Sequence, residues 1–342
     1  MTQATKQGGY EVNTLSKLIC TASIVSAAIS TRPAAAFEFG TPGAVQKPGI
    51  TIGGGSAGTP PPGIYMFDQF ATYQAKIVGP GAPPGGTVAQ YAAAATGFLF
   101  VPGWTFLGGN YSAVLVTPFV MDSIGSPVNV QQLGMHNTYI VPVELSWKLQ
   151  DTGFFVKTGL GIYVPTGNIS GPAGLSGEGT PWYTFQPEFI VSYLKDNWNL
   201  TANIFAEFNT KNTVTGYRSG DILHAEFRAT KTVDNWTFGP VAYYFGQVSG
   251  DKSSAFYGNA INTNKYDEWA VGGLVGYNFG HVDLNVWATK EFKPNPTGGT
   301  LIPGRDSAVA LEGYSVFAQL SYRLWAPDAP PSSPKLTGLI HK

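Results

Sequence analysis

Alternation of apolar and polar side chains with a period of two is the feature that most constrains this chain. It is clearest between Asp196 and Thr210, where the apolar positions are Trp198, Leu200, Ala202, Ile204, Ala206 and Phe208. Phe205 is the one apolar residue on the other side of the pattern, which otherwise consists of Asn197, Asn199, Thr201, Asn203 and Glu207. Because successive side chains of a strand point to opposite faces, the pattern predicts a β-strand with one apolar and one polar face.

The same alternation recurs along the chain and predicts about twelve strands of roughly 10 to 15 residues, which is long for a soluble sheet. The predicted strands begin near residues 63, 89, 108, 137, 153, 181, 197, 223, 236, 266, 282 and 315. Long and short connections alternate between them: tight turns near Lys195, Asp234 and Phe279 separate long loops such as 165–180 and 248–265. Such alternation is typical of membrane barrels whose two ends face different compartments.

Composition separates the two architectures that these strands could build, a soluble sandwich and a barrel in lipid. Only 12% of the residues are charged, about half the share of a soluble domain, while 43% are hydrophobic and 13% aromatic. No window of about 18 consecutive apolar residues predicts a spanning helix. We therefore predict an all-β fold, a single transmembrane antiparallel β-barrel of about twelve strands of the bacterial outer-membrane type. A soluble sandwich is the alternative.

Both ends of the chain differ in composition from the predicted barrel. Residues 1–36 combine lysines, an apolar run and an A-x-A site ending at Ala36, which predicts a secretory signal peptide. Residues 37–62 are rich in Gly and Pro, and the sequence leaves open whether they are a lead-in or a plug. The barrel is predicted to span 63–325, and a Pro-rich tail follows at 326–342. The only cysteine, Cys20, falls within the predicted signal peptide.

Four short blocks carry a resemblance to a known family: V-E-L-S-W from Val143, Y-V-P-T-G from Tyr163, N-T-V-T-G-Y-R-S-G from Asn212 and G-Q-V-S-G-D from Gly246. In this order and spacing they resemble the proteobacterial outer-membrane family named after the meta-cleavage pathway of phenol degradation. The resemblance implies a barrel of the bacterial outer membrane that admits small hydrophobic or aromatic solutes. Expected partners are therefore outer-membrane lipid, such solutes and the outer-membrane assembly machinery. One departure from the usual barrel terminus is the tail that follows Trp325.

Side chains at lumen-facing positions are the candidate functional residues. The candidates for the lumen or substrate path are Glu144, Lys148, Glu188, Asn203, Phe205, Glu207, His224, Glu226, Arg228 and Trp287. Their charges could anchor a substrate or form an ion-pair network that fills a narrow lumen. We expect one arc, with acids gathered around Arg228 at a constriction and with Gln186 and Asn203 as neutral partners for a phenol-like hydroxyl. Phe205 and Trp287 are the inward rings expected to contact an apolar solute.

The sequence gives little support to an enzymatic function. His224 and Glu226 lie two residues apart on one predicted face, but a hydrolase would also need a serine that no pattern singles out. H-E-x-x-H, G-x-x-x-x-G-K-[ST] and Cys/His clusters do not occur, so we expect no cofactor and no metal site. The net charge of -1 indicates no nucleic-acid partner. We predict a channel or transporter for uptake; an outer-membrane hydrolase and a structural or adhesive barrel are the alternatives.

Overall fold

The computed structural model describes residues 44–83, 85–127, 129–259, 265–297 and 308–327, and these ranges are built mainly of β-strands. The strands are β1 (Gly63–Val78), β2 (Val88–Val101), β3 (Thr105–Phe106), β4 (Gly109–Ile124), β5 (Val130–Met135), β6 (Thr138–Lys148), β7 (Phe154–Val164), β8 (Thr184–Lys195), β9 (Trp198–Asn209), β10 (Ile222–Val233), β11 (Trp236–Gln247), β12 (Lys265–Asn278), β13 (Val282–Thr297) and β14 (Ala310–Trp325). Within these ranges, no helix is long and apolar enough to cross a bilayer. The predicted signal peptide and most of the predicted tail lie outside the described residues.

The sheet closes on itself. Each long strand pairs antiparallel with its neighbours, and β1 pairs with both β2 and β14. β2 also pairs with β4, so twelve strands complete the barrel, while the short β3 and β5 attach to β4. Closure removes the free edges and gives the backbone groups partners within the wall, as hydrocarbon requires. The all-β barrel predicted from the alternation is confirmed.

The connections at the two ends of the barrel differ in length. Compact turns at 149–153, 196–197, 234–235 and 279–281 define what we call the short-turn end. Loops at 165–183 and 210–221, and the described part of the connection after β11 at 248–259, lie at the opposite, long-loop end. At the turn between β8 and β9, Asp196 and Asn197 have φ angles of 53° and 62°. Positive φ at both positions is what a two-residue type I′ hairpin requires, and Asp and Asn tolerate it better than most residues.

One connection differs from the expectation. The sequence predicts a loop over 122–133, but β4 continues to Ile124 and pairs with β5 there. The reason is that β6 begins only at Thr138 and pairs with β4 no further than Val116. The outer part of β4 therefore needs another partner for its backbone groups, and β5 supplies it.

The outer surface of the barrel is apolar and its interior is polar along much of the wall. On β9, Ile204 is 43% exposed although it lies in the middle of a strand, whereas Glu207 is 0% exposed. The exposed side chains on this strand are Trp198, Leu200, Ile204 and Phe208. A soluble protein would have the opposite arrangement, so the exposed face is the one that contacts lipid.

Aromatic rings cluster near the short-turn end. Trp236 and Tyr277 have ring centroids 4.7 Å apart, and Phe279 extends the same cluster at 4.7 Å from Tyr277. Phe154 and Tyr193 form another pair at 5.1 Å. Aromatic rings near the end of a barrel are typical of the interface between hydrocarbon and head groups, where they fix the depth of the barrel in the membrane.

Candidate functional site

Residues 44–62, here called the inner segment, run through the barrel lumen before the chain enters β1. Gly49 has a φ angle of 89°, a left-handed conformation that favours glycine. A Cβ on Gly53 would lie 2.2 Å from the ring of Trp287, so only glycine allows the backbone to lie this close to the wall. The glycines of the inner segment, which gave no periodic signal, therefore let its backbone lie close to the wall.

Carboxylates of the wall bind backbone N–H groups at the start of the inner segment. Glu207 on β9 accepts hydrogen bonds from the N–H groups of Val45 at 2.8 Å and of Gln46 at 3.1 Å. His224 on β10 places its Nε2 3.1 Å from Glu207 Oε1, and both side chains are 0% exposed. The pair is thus a buried support for the inner segment, with one acid reaching across the lumen.

Glu226 holds the next turn of the inner segment in the same way. Its Oε1 accepts a hydrogen bond from the N–H of Gly49 at 2.7 Å, and its Oε2 accepts from the N–H of Thr51 at 3.2 Å and from the Thr51 hydroxyl. Asn203 on β9 donates from Nδ2 to Thr51 Oγ1 at 3.0 Å. One wall acid therefore pairs two backbone N–H groups that would otherwise be buried without partners.

Donors of the wall bind the carbonyl groups that follow. Arg228 donates from Nη1 to the carbonyl oxygen of Gly53 at 3.0 Å, and Asn285 donates from Nδ2 to the same oxygen at 2.8 Å. Trp287 donates from Nε1 to the carbonyl oxygen of Gly49 at 2.9 Å while its ring stacks on Phe317 at 5.1 Å. The wall thus offers acceptors to N–H groups and donors to carbonyls, so the inner segment is docked through its backbone.

Lys47 is the charged side chain that the inner segment contributes to its own docking. Its Nζ lies 3.6 Å from Glu291 Oε1 and 3.6 Å from the centroid of the Tyr73 ring. Glu291 also accepts hydrogen bonds of 2.6 Å from the hydroxyls of Tyr73 and Tyr243. The ion pair and the cation–π contact are both buried, where they are stronger than at a surface.

A cavity of about 790 Å³ lies between the inner segment and the wall, and its lining comes from β1, β2, β4, β6 to β9 and β11 to β14. On β1, β2 and β4 its lining is mainly apolar and includes Phe67, Ala71, Tyr73, Tyr91, Ala93, Ala95, Val114, Val116 and Val120. On β6 to β9 the lining carries polar side chains, among them Glu144, Lys157, Gln186, Glu188 and Asn203. The size is that of a site for a small organic molecule, and the apolar side offers contact to a hydrophobic one.

An ion pair belongs to the polar side of the cavity. Lys157 Nζ on β7 lies 3.6 Å from Glu144 Oε2, which also accepts a hydrogen bond of 2.7 Å from the hydroxyl of Ser112. Glu188 lies on β8, beside this pair. A Cβ on Gly159 would lie 2.8 Å from Glu188 Oε1, so this glycine leaves the space that the carboxyl group occupies.

Asp251 ties together two loops at the long-loop end. Its Oδ1 accepts hydrogen bonds of 2.6 Å from the N–H of Gly220 and from Gln247 Nε2, and its Oδ2 accepts from the Tyr217 hydroxyl at 2.5 Å. Arg218 pairs with Asp221 at 2.8 Å in the same cluster. The two blocks that begin at Asn212 and Gly246 therefore meet in space and fasten the loops above the lumen.

Glu178 is a buried acid in the loop at 165–183 of the same end. It is 6% exposed and lies beside the carboxylate of Asp122. Burial, and then the negative charge of Asp122, raise the pKa of Glu178 to about 9. At neutral pH Glu178 therefore keeps its proton, which allows two acids to face each other without repulsion.

The structure brings most of the predicted lumen residues inside, but in an arrangement different from the expected constriction. Arg228 donates to carbonyls of the inner segment and to the Thr230 hydroxyl, whereas Glu207 and Glu226 bind backbone N–H groups. The acids thus gather around the inner segment and not around Arg228. Lys148 does not lie in the lumen: its side chain is 55% exposed and pairs with Asp151 at the short-turn end.

The two inward rings have different surroundings. Phe205 lines the cavity and stacks on His224 at 4.5 Å, as an inward ring should. Trp287 is 1% exposed and lies beneath the inner segment, so its contacts are with Gly49 and Phe317.

Sequence reasoning missed the apolar wall of β1, β2 and β4 because β2 carries apolar residues on both faces. The role of Lys47 was also missed. Its partner Glu291 is 244 positions away in the sequence, so no local pattern signals the contact.

The expectation that no sequence pattern singles out a serine is wrong, because G-G-S-A-G at residues 54–58 fits the G-x-S-x-G pattern of hydrolase nucleophiles. A nucleophile elbow requires a sharp turn between a strand and a helix. Residues 54–58 lie instead in the inner segment, where Ala57 accepts a hydrogen bond from the Ser146 hydroxyl and donates one of 2.8 Å to Ser192 Oγ. His224 contacts Glu207, Phe205 and Phe245.

Comparison with solved structures shows similarity of fold at low sequence identity. An outer-membrane channel from Pseudomonas putida F1 matches with a TM-score of 0.64 and 10% identity, over 78% of this chain and 98% of that chain. Weaker similarity, with TM-scores of 0.43 and 0.41, is found to the translocator domain of the autotransporter NalP from Neisseria meningitidis and to the deltaS2 mutant of the TodX monoaromatic hydrocarbon channel. Identity is 10% in both cases, over 78% and 81% of this chain and 89% and 93% of those chains.

Comparison of sequences gives a family. Among curated proteins no sequence matches the chain. The model of the family described as "Putative MetA-pathway of phenol degradation" matches residues 68–301, which is more than half of the chain. With the closed barrel and its apolar outer belt, this match shows that the protein is a β-barrel of the bacterial outer membrane and belongs to the family of the phenol meta-cleavage pathway.

Proposed function

We propose that the protein is a passive channel for uptake of small hydrophobic or aromatic molecules across the outer membrane. The observation that carries the proposal is the cavity of about 790 Å³ between the inner segment and the wall, apolar on the side of β1, β2 and β4. Porins for sugars and ions have lumens lined by polar side chains and filled with water. An apolar slot favours solutes that gain free energy by leaving water.

The inner segment narrows the path and is held to the wall by noncovalent contacts. Its backbone is held by hydrogen bonds to Glu207, Glu226 and Arg228, each of which can be exchanged for water when the segment moves. A narrow apolar path beside a docked segment would select solutes by size and polarity. It would also limit the leakage of ions through the membrane.

Two neighbouring alanines on β2 provide a matched test. Ala93 lines the cavity, whereas Ala94 has the opposite orientation and is exposed on the outer face. Ala93→Trp should fill the cavity and abolish the flux of small aromatic molecules into proteoliposomes, while Ala94→Trp should leave it unchanged. In a deletion strain of the source bacterium, growth on aromatic carbon sources should be restored by the wild type and by Ala94→Trp only.

Two alternatives make different predictions in the same assays. A structural or adhesive barrel would give no flux above protein-free vesicles and no growth defect on deletion. A hydrolase would convert an ester substrate at a rate that falls when His224 is changed to Ala, with uptake unaffected. Equal flux in Ala93→Trp and Ala94→Trp would place the path outside this cavity and contradict the proposal.

A further inference from the structure

Three polar side chains on β8 and β9 face the cavity with hydrogen-bonding atoms left over. Gln186 is 1% exposed, Asn203 is 4% exposed, and both line the cavity together with Glu188. Among the residues that the structure describes, no hydrogen-bond partner lies within reach of Gln186 Nε2 or Asn203 Oδ1, and the Glu188 carboxyl group shares a hydrogen bond with Glu144 that leaves its Oε1 open. Buried polar atoms are nearly always paired, so the open atoms on these adjacent strands call for a partner that enters the cavity, either water or a polar group of a solute.

The strand register brings these three residues to one part of the wall. Gln186 and Glu188 are two positions apart on β8 and therefore point to the same face. Asn203 lies on β9, where it pairs with Ile190, and Phe205 pairs with Glu188. A ring, an amide donor, a carboxyl group and an amide oxygen thus line the same side of the cavity.

Aromatic side chains and a glycine complete this part of the wall. Tyr139 and Tyr163 have ring centroids 4.6 Å apart on β6 and β7. Gly161 pairs with Gln186, and a Cβ on it would lie 2.2 Å from the Tyr139 hydroxyl oxygen. The missing side chain therefore leaves the space that the Tyr139 hydroxyl occupies over β7. A planar molecule at this part of the wall would therefore meet both aromatic rings and polar atoms.

From this arrangement we infer that Gln186, Glu188 and Asn203 form a binding site for the hydroxyl group of a small hydroxylated aromatic molecule. The inference rests on the proposed channel function and deepens it by naming the recognised group. A phenolic hydroxyl can accept a hydrogen bond from Gln186 Nε2 and donate one to Oε1 of the Glu188 carboxyl group or to Asn203 Oδ1. A hydrocarbon of the same shape leaves these polar atoms unpaired, and sites of this kind discriminate strongly against analogues that lack the group.

The matched probes are p-cresol and p-xylene, which differ by a hydroxyl in place of a methyl group. Binding to the purified full-length protein is measured by calorimetry, with the cavity-filled Ala93→Trp variant as the blank for partition into detergent. Flux of both compounds into proteoliposomes is measured in parallel. We expect the wild type to bind p-cresol at least about tenfold more tightly than p-xylene.

Gln186→Leu keeps the approximate side-chain volume and removes the amide, so it should abolish this preference while p-xylene binding stays the same or improves. Glu188→Gln should weaken p-cresol binding without abolishing it, because an amide oxygen remains as acceptor. Thr184→Val is the control on the same strand: Thr184 is buried and bonded to Asn209 at 2.6 Å, away from the cavity lining. Heat-modifiable migration on gels verifies that each barrel is folded.

The outcomes separate this inference from the proposed function. Equal binding of p-cresol and p-xylene by the wild type, with flux of both, would overturn the hydroxyl site and leave the channel in place. An unchanged preference in folded Gln186→Leu would overturn it as well. If neither compound binds or crosses above the Ala93→Trp blank, the channel function and the site are both wrong.

Discussion

Glu226 of the barrel wall accepts a hydrogen bond of 2.7 Å from the backbone N–H of Gly49, although the two residues are separated by 177 positions in the sequence. The same carboxylate also binds Thr51, so a single side chain holds a complete turn of the inner segment. The position of the inner segment in the lumen therefore depends on a small number of charged groups of the wall, which makes it accessible to mutation.

Glu226→Ala should loosen the inner segment while the barrel remains assembled. The substitution leaves the N–H groups of Gly49 and Thr51 without their acceptor, and hydrogen bonds to charged groups contribute about 1.5–3 kcal/mol each. We expect a higher and more variable single-channel conductance in planar bilayers. Glu312→Gln is the control, since Glu312 pairs with Lys290 through side chains that are 37% and 60% exposed. If the single-channel conductance of Glu226→Ala is as low and as constant as that of the wild type, this acid does not hold the segment.

Gly53→Ala tests the close contact between the inner segment and Trp287. The added Cβ would lie 2.2 Å from a ring that is itself stacked on Phe317 and cannot easily move. Overpacking of this kind costs about 1–3 kcal/mol, so the segment should be displaced and the conductance should rise. Gly250→Ala is the matched control because nothing lies within 4 Å of the position of its Cβ. If both variants conduct like the wild type, the segment can dock without this contact.

Ile204→Arg tests which face of β9 contacts lipid. An arginine at the bilayer midplane destabilises a membrane barrel by about 2–4 kcal/mol, and the cost falls to about 0–1 kcal/mol near the interface. Ile204 lies in the middle of β9, whereas Val233 is the last residue of β10 at the short-turn end and is 49% exposed. The free energy of unfolding in urea, measured in vesicles, should therefore fall much more in Ile204→Arg than in Val233→Arg. Similar losses at the two positions would contradict the assigned depth.

The loop at 165–183 should become less stable as the pH rises. The pKa of Glu178 is raised by burial beside Asp122 to about 9 in the folded protein, from an ordinary value of 4.5. Between these two values the folded form holds a proton that the unfolded form has lost, so stability decreases as the pH rises through this window. Above pH 9 two carboxylates face each other, and the loop should open.

Limited proteolysis of intact vesicles measures this opening. Wild-type protein should be cleaved in the loop faster at pH 9.5 than at pH 7, whereas Glu178→Gln should be cleaved at the same rate at both values because its amide does not ionise. A rate increase of the same size in both proteins would assign the effect to other groups.

Much of the wall could be predicted from the sequence because its signal is local. Residues two positions apart on a strand share a face whatever the rest of the chain does, so the alternation from Trp198 to Phe208 was enough to assign lipid to one side. The order of long and short connections then predicted a barrel with two different ends. The inward position of His224 followed from the same period, since it lies two residues before Glu226.

The contents of the lumen were decided only by the tertiary structure. Residues 37–62 lack periodicity, and their described part is held through backbone groups that every residue has, so no side-chain pattern could reveal that Gly49 and Gly53 dock against Glu226 and Arg228. The position of the cavity depends on closure between β1 and β14 and on which side of the lumen the inner segment occupies. These contacts join residues far apart in sequence, and their free energy depends on geometry that exists only once the barrel has closed.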